Sequence, residues 1–251
     1  MNKPKMILFD YGQTLVELDG AFRGIDGYKA VLKHAVNNPY QVSAKELEQF
    51  AKGLNNDIGR YQPGMEEANS IEVHSHLFHN YVFDYYGIEF DLTPAEVEKL
   101  YWDHAAKGKP TKNCKELLQY MHDHQIRTAI ISNISFSGRA LEERIRSLFP
   151  EHEFEFILAS SEYVFRKPHR RIFELGLRKA GLPAGEVWYC GDYAYFDVDG
   201  AARAGIFPVW YRGAVEAGNK KQPKSDCLTI NDWKDLIEYL ESAEIINNMI
   251  E

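Results

Sequence analysis

Cysteine is scarce in this sequence. The three present, Cys114, Cys190 and Cys227, are far apart and odd in number, which excludes a disulfide framework and the paired spacing of a zinc site; we read them as reduced, structural thiols. Positive charge is in deficit too. With 29 Lys and Arg against 37 Asp and Glu, the formal charge is −8, and a broad nucleic-acid surface is excluded because backbone phosphates are bound by clustered Lys and Arg. A small anionic ligand stays compatible if basic residues gather locally. The stretch Met1 to Phe9 carries Lys3 and Lys5 but too short an apolar run for a secretory h-region or a membrane span. A cytoplasmic protein is expected, with neither membrane nor nucleic acid as partner. Internal repeats and low-complexity tracts are lacking as well.

What is present is an ordinary globular composition. The 251 residues are 45% hydrophobic and 26% charged, enough for one large domain or a core with a smaller companion. Four short apolar, β-branched runs read as strands buried on both faces of a parallel sheet: Met6–Phe9, Arg127–Ser132, Val187–Cys190 and Ile206–Tyr211. Phe154–Ala159 is a fifth, interrupted by Glu155. Helical stripes separate them over Lys115–His124, Arg139–Phe149, Arg170–Ala180 and Phe196–Ala204. Such alternation predicts right-handed βαβ crossovers, hence an α/β fold with a doubly wound, Rossmann-like parallel sheet whose ligands sit beyond the carboxyl ends of the strands.

One long stretch, from about Glu17 to Lys109, breaks the alternation and reads as mostly helical. Candidate helices span Phe22–Val36, Ser43–Ile58, Ser70–Tyr86 and Thr93–Ala106, and Ser43 with Glu46 three residues on forms a capping box. The expected organisation is a core of residues 1–16 and 110–251 carrying a helical cap of residues 17–109, with hinges near Val16–Gly20 and Lys107–Lys112. A helix over Asn231–Leu240, capped by Asn231 or Asp232, should close the core, and Asn247–Glu251 should fray.

Chemistry-bearing residues collect at the predicted strand ends. Phe9-Asp10-Tyr-Gly12-Gln-Thr14-Leu15 leaves a carboxylate where the first strand stops. Ile131-Ser132-Asn133 ends the second core strand, Arg166-Lys167-Pro168 precedes a helix, and Gly191-Asp192 with Asp197 ends another strand. Each has a plainer reading: strand-end Asp and Ser are common turn formers, Asp197 could cap the helix near Val198, and Lys167 could be a solvated charge, as Arg166 beside it reads. On a parallel sheet, however, the four sites converge. In order, spacing and residue type they resemble the motifs of the haloacid dehalogenase superfamily, over Met6–Leu15 and about Lys112–Tyr211, and the insert lies where that family carries a helical cap.

The resemblance implies a magnesium-dependent hydrolase acting on a small phosphorylated substrate. Asp10 would attack phosphorus and form an aspartyl-phosphate, splitting one hard displacement into two easier ones. Asp192, Asp10 and the main-chain carbonyl of Gly12 would hold Mg2+ through hard oxygen ligands. Asp197 is either a further ligand or the partner of Lys167 or of a metal-bound water. Lys167 would neutralise the nucleophile and the transferring phosphoryl oxygens. Ser132 would donate its hydroxyl to phosphate, with the backbone amides of Asn133 and Ile134 beside it, and Thr14 would brace the phosphate-binding loop.

Gly12 departs from the pattern. Family phosphatases place a second Asp there as general acid and base; here the carbonyl survives and the proton donor does not. A missing general acid costs about 10²- to 10⁴-fold, least for aryl phosphates, acyl phosphates or anhydrides, whose leaving groups need little protonation. A glycine at this position is also compatible with positive φ. A cap residue could supply the proton: His74, His76 and His79 are candidates, the last two on one helix face, while with Glu72 they match no standard metal spacing. The aromatic run Phe78, Tyr81, Phe83, Tyr85 and Tyr86 reads as core. Three other functions stay open. Gly12 would suit a non-catalytic phosphate-ligand binding protein; a carbon–phosphorus hydrolase would draw a Schiff-base lysine from Lys45 or Lys52; a dehalogenase would need no metal, and Gly191-Asp192 counts against it.

Overall fold

The computed structural model describes residues 3–59, 71–214 and 221–248. The chain runs β1 (Met6–Phe9), β2 (Val16–Leu18), α1 (Gly24–Val31), β3 (Ala35–Asn37), α2 (Ala44–Asp57), α3 (Ser75–Tyr85), β4 (Glu89–Phe90), α4 (Pro94–Ala105), β5 (Gly108–Pro110), α5 (Cys114–Asp123), β6 (Arg127–Ser132), α6 (Gly138–Leu148), β7 (Ile157–Ala159), α7 (Arg170–Ala180), β8 (Val187–Gly191), α8 (Asp199–Arg203), β9 (Phe207–Tyr211), β10 (Leu228–Ile230) and α9 (Trp233–Asn248). Six strands form one parallel sheet in the order β10-β9-β8-β1-β6-β7. This is the α/β, Rossmann-like architecture that the strand–helix alternation predicts.

Side chains alternate across the sheet. Ile7, Phe9, Trp188, Cys190 and Val209 pack with Leu117 and Met121 of α5 and Leu236 and Leu240 of α9. Met6, Leu8, Ala129, Ile131, Val187 and Tyr189 point the other way, onto Ile172 and Phe173 of α7 and Ala201 of α8. Burial on both faces explains why these strands read as continuous apolar runs. β7 begins three residues later than expected, at Ile157; before it the Glu155 amide still donates to the Thr128 carbonyl at 2.9 Å, and the Glu155 carboxylate forms a forked pair with Arg127 at 2.5 and 2.7 Å. The edge strand β10 has too few apolar residues to register in the sequence.

The insert packs α1–α4 and a small β3–β4 ribbon between β2 and β5. Those two strands pair antiparallel, Val16 with Pro110, Glu17 with Lys109 and Leu18 with Gly108, so the two expected hinges lie side by side. The capping box at Ser43–Glu46 starts α2 as read, and a second, at Thr93–Glu96, starts α4. The first insert helix is shorter than expected: it ends at Val31, a 3₁₀ turn follows, and residues 35–37 pair with β4 ahead of Pro39. α3 starts at Ser75, because the His74 side chain accepts from the His76 amide and caps it, whereas Ile71 bridges to Phe165; Ser70 lies outside the described residues. The helix expected over Phe196–Ala204 is a π-turn, Ala194–Val198, running into α8. At the far end α9 continues through Asn247 and Asn248, past the expected stop, and residues 249–251 lie outside the described residues. Asp232 accepts from the Lys234 amide at its start. Among the described residues, no helix is long and apolar enough to cross a membrane.

Candidate active site

Because β1 lies between β6 and β8, the chain leaves the sheet in opposite directions on its two sides, and the carboxyl ends of these three strands open a crevice. Asp10 follows β1, Ser132 ends β6 and Asp192 follows β8. Lys167 enters the same crevice from the loop before α7, and Asp197 from the π-turn. They line a cavity of about 270 Å³ together with Gly12 and Asn133.

Lys167 is buried, and its ammonium group has three short contacts: Asp10 Oδ1 at 2.6 Å, Asp197 Oδ1 at 2.6 Å and Tyr189 Oη at 2.7 Å. Three donors meet three acceptors, so the group is saturated. Burial alone would lower its pKa, but Asp10 and Asp197 outweigh that and hold it raised. The main chain of Lys167 is fixed as well: Asn133 Oδ1 accepts from its amide at 2.7 Å and Asn133 Nδ2 donates to its carbonyl at 2.8 Å. Tyr189 in turn donates to the Ile131 carbonyl at 3.0 Å, tying the lysine to β6.

Negative charge crowds the other wall. Carboxylate oxygens of Asp10, Asp192 and Asp197 all lie within 4.8 Å of one another. Burial pushes the Asp10 carboxyl up to about 6, against the pull of Lys167; burial, then the charges of Asp197 and Asp10, raise Asp192 well above the usual range. A hard divalent cation fits such a donor set, because it relieves this repulsion. Asp197 is partly committed elsewhere: Oδ1 takes Lys167, and Oδ2 accepts from the Tyr193 amide at 2.9 Å. Gly191 permits that fold-back, since a Cβ there would lie 2.6 Å from Asp197 Oδ2.

The remaining predicted residues divide. Ser132 lines the cavity. The Asn133 side chain is spent on the Lys167 backbone, and of the two backbone amides expected to face phosphate, that of Ile134 donates instead to Ser160 Oγ at 2.9 Å. Thr14 is fully buried behind the loop, outside the cavity lining, with its carbonyl accepting from Thr111 Oγ1 at 2.8 Å. Gly12 is not in the positive-φ region; Gln13 takes that conformation, at φ +57°. Arg166 is not a solvated charge but a buried one on the cavity wall.

The histidines are distributed around the site. His76 pairs with buried Glu98 at 3.0 Å, His74 lies 3.5 Å from Glu162, and His79 packs against Tyr28, Phe83 and Tyr101. None of the three lines the cavity that holds Asp10; His79 lines a neighbouring one of about 380 Å³ that shares Asn133 and Ile134 with it. Lys45 and Lys52 are exposed on α2, Lys52 beside Glu48 at 3.3 Å, and line neither. Of the aromatic run, Phe78 and Phe83 are core, whereas Tyr81 and Tyr85 are exposed and stack on Phe50.

A profile of the haloacid dehalogenase-like hydrolase family matches residues 7–211. The chain belongs to that family. A glyceraldehyde 3-phosphate phosphatase of Pyrococcus abyssi is 33% identical over 109 residues, which is 43% of this chain and 46% of the relative, so the match spans under half of that relative's length. Two solved structures share the fold: a HAD phosphatase from Thermococcus onnurineus, with TM-score 0.59, 19% identity and coverage of 94% of this chain and 97% of the other, and a 2-haloacid dehalogenase from Pseudomonas syringae pv. Tomato DC3000, with TM-score 0.60, 19% identity and coverage of 96% and 99%. Haloacid dehalogenase-like hydrolases with different chemistry thus resemble this chain equally in fold, and the site must discriminate.

Sequence reasoning missed two groups of this hydrolase's site. Tyr189 sits inside a strand and reads as one more apolar residue, although it is the third acceptor for Lys167. Glu72, which in the sequence stands only as a companion of His74, His76 and His79 with no standard metal spacing, is buried beside Arg166 and accepts from Ser160 Oγ at 3.0 Å. Neither carried a signal of its own: Glu72 lies inside the stretch that reads as a helix from Ser70, and Tyr189 inside an apolar run.

Proposed function

We propose that the protein is a magnesium-dependent phosphatase of small phosphorylated metabolites, with Asp10 as nucleophile. One observation carries the reading: three carboxylates, each with an oxygen within 4.8 Å of the others, meet beyond the carboxyl ends of adjacent strands, Asp10 and Asp192 directly after β1 and β8 and Asp197 from the π-turn, with the Lys167 ammonium 2.6 Å from Asp10. A dehalogenase needs no cation and no such cluster. Residues 1–16 and 110–251 act as the catalytic core and residues 17–109 as the cap.

Lys167 holds Asp10 Oδ1 and leaves Oδ2 for in-line attack on phosphorus. The P–O bond to the leaving group breaks as the Asp10 O–P bond forms, and the departing oxygen takes the electron pair. Water then attacks the aspartyl-phosphate and releases phosphate and Asp10. Ser132 donates to a phosphoryl oxygen throughout. Asp10, Asp192, the Gly12 carbonyl and, if it shifts off Lys167, Asp197 would hold Mg2+, which supplies charge neutralisation of the phosphoryl oxygens when bound. No carboxylate at position 12 protonates the leaving group, so aryl phosphates, acyl phosphates and anhydrides are the favoured substrates.

The test is hydrolysis of p-nitrophenyl phosphate with and without Mg2+. Turnover should vanish with EDTA and in Asp10→Asn, which should also lose fluoroberyllate binding while keeping its fold. Activity that survives EDTA refutes the metal, and activity in Asp10→Asn refutes the nucleophile. Binding of phosphate without any turnover would establish the binding-protein reading that Gly12 favours.

A further inference from the structure

Lys167 spends all three of its donors on protein acceptors, which leaves Arg166 as the other cation on the cavity wall among the described residues. It is 7% exposed, and its buried Nε and Nη1 have no hydrogen-bond partner among the described residues. Its ion-pair neighbour is Glu72, with Oε2 3.5 Å from Nη1, too long for a good hydrogen bond. Glu72 is itself held elsewhere: Ser160 Oγ donates to its carboxylate at 3.0 Å and the Val73 amide at 3.3 Å. The Phe196 ring lies 5.9 Å from the guanidinium carbon.

The loop is built to hold this arginine in place. The Glu72 amide donates to the Val164 carbonyl at 2.9 Å and Ile71 bridges to Phe165, so the segment bearing Glu72 is laced to the segment bearing Arg166. Val164 sits at φ +65°, a conformation that a β-branched residue adopts only when its surroundings impose it. Buried donors without acceptors are rare in native structures, and a strained loop that holds such a residue on the wall of a ligand cavity marks a functional position.

We propose that Arg166 recognises a carboxylate on the part of the substrate that leaves, so that the preferred substrates are small phosphorylated carboxylic acids. This rests on the phosphatase reading for the phosphoryl end. The guanidinium is a planar fork that matches a carboxylate in two parallel hydrogen bonds. A carboxylate adds one negative charge to a cavity already facing Asp10, Asp192 and Asp197, whereas a second phosphate adds about two. The cavity of about 270 Å³ limits the ligand to a compact molecule.

The experiment compares 3-phosphonopropionate with propylphosphonate, which exchange a carboxylate for a methyl group at equal length and cannot be hydrolysed. Isothermal titration in Mg2+ should show wild-type protein binding the carboxylated compound about tenfold more tightly or better. Arg166→Met should abolish that preference while changing propylphosphonate affinity by less than about threefold, and Arg166→Lys, which keeps charge without the fork, should fall between; a circular dichroism melt checks each fold. Wild type without a preference, binding of neither compound, or a preference that persists in Arg166→Met overturns the proposal. Equal weakening of both compounds overturns it as well, since the guanidinium would then serve the phosphoryl group or the fold. Turnover of p-nitrophenyl phosphate by wild type reads the phosphatase activity separately, so failure of that activity and failure of the carboxylate preference are seen independently.

Discussion

Installing the carboxylate that position 12 lacks is the sharpest probe of the proposed chemistry. A Cβ built on Gly12 meets nothing within 4 Å, and the residue is outside the left-handed region, so Gly12→Asp requires no backbone strain and its Cβ has free space. A positioned general acid contributes about 10²- to 10⁴-fold, or about 3–5 kcal/mol of barrier. Part of that is offset here, because the new carboxylate joins Asp10, Asp192 and Asp197 in one cavity and repels them. We therefore expect kcat/KM to rise about 10- to 100-fold for an alkyl phosphate such as glycerol 1-phosphate, and by less than about threefold for p-nitrophenyl phosphate, whose leaving group needs little protonation. The assay is steady-state kinetics across phosphate esters of graded leaving-group pKa: log(kcat/KM) should fall steeply in wild type and shallowly in the variant. Two results refute the reasoning. A flat wild-type dependence means that another group already donates the proton, and His79, lining the neighbouring cavity, becomes the first residue to replace. A parallel gain for aryl and alkyl esters means that the new carboxylate acts through metal or substrate binding instead.

Tyr189→Phe removes one of three acceptors from the Lys167 ammonium and should cost about 1.5–3 kcal/mol in urea denaturation, the range for hydrogen bonds to charged groups; a cost under about 0.5 kcal/mol would show that the hydroxyl is replaceable by water. Glu98, in α4, accepts from Ser75 Oγ, His76 Nε2 and both the amide and hydroxyl of Ser137, so Glu98→Ala should cost about 3 kcal/mol by leaving buried donors unpaired. Burial would raise the Glu98 carboxyl, but Ser137 and Ser75 outweigh it and hold the pKa below its ordinary 4.5. The stabilisation it confers is therefore complete above pH 4.5 and lost as pH falls below that value, and Glu98→Gln should flatten the acid limb of the stability curve; an unchanged limb excludes this carboxylate.

The core was legible because its strands are short, two-sided and apolar: β1, β6 and α7 lie where periodicity puts them. The residues of the candidate site were legible where a polar residue breaks an apolar run at a strand end, as at Asp10, Ser132 and Asp192. Where a polar group is buried by tertiary contact alone, sequence gave no purchase. Arg166 looks solvated next to Lys167 until Glu72, nearly a hundred residues upstream, is seen folded against it. The same holds for Ile134, whose amide is taken by Ser160. The insert failed locally for a related reason: the 3₁₀ turn after Val31 and the β3–β4 pair depend on a partner strand more than fifty residues away, which no local window contains.

The antiparallel pairing of Leu18 with Gly108 makes the insert, from Asp19 to Lys107, an excursion that departs and returns at one point. A two-residue turn joining those partners would close the ladder as an ordinary hairpin. The trimmed chain would keep every strand of the parallel sheet, with Trp102 no longer stacked on Phe136 and the neighbouring cavity stripped of the wall that Phe22, Phe78, His79 and Tyr101 give it. Evolution could exchange one insert for another at that point without rewriting the sheet.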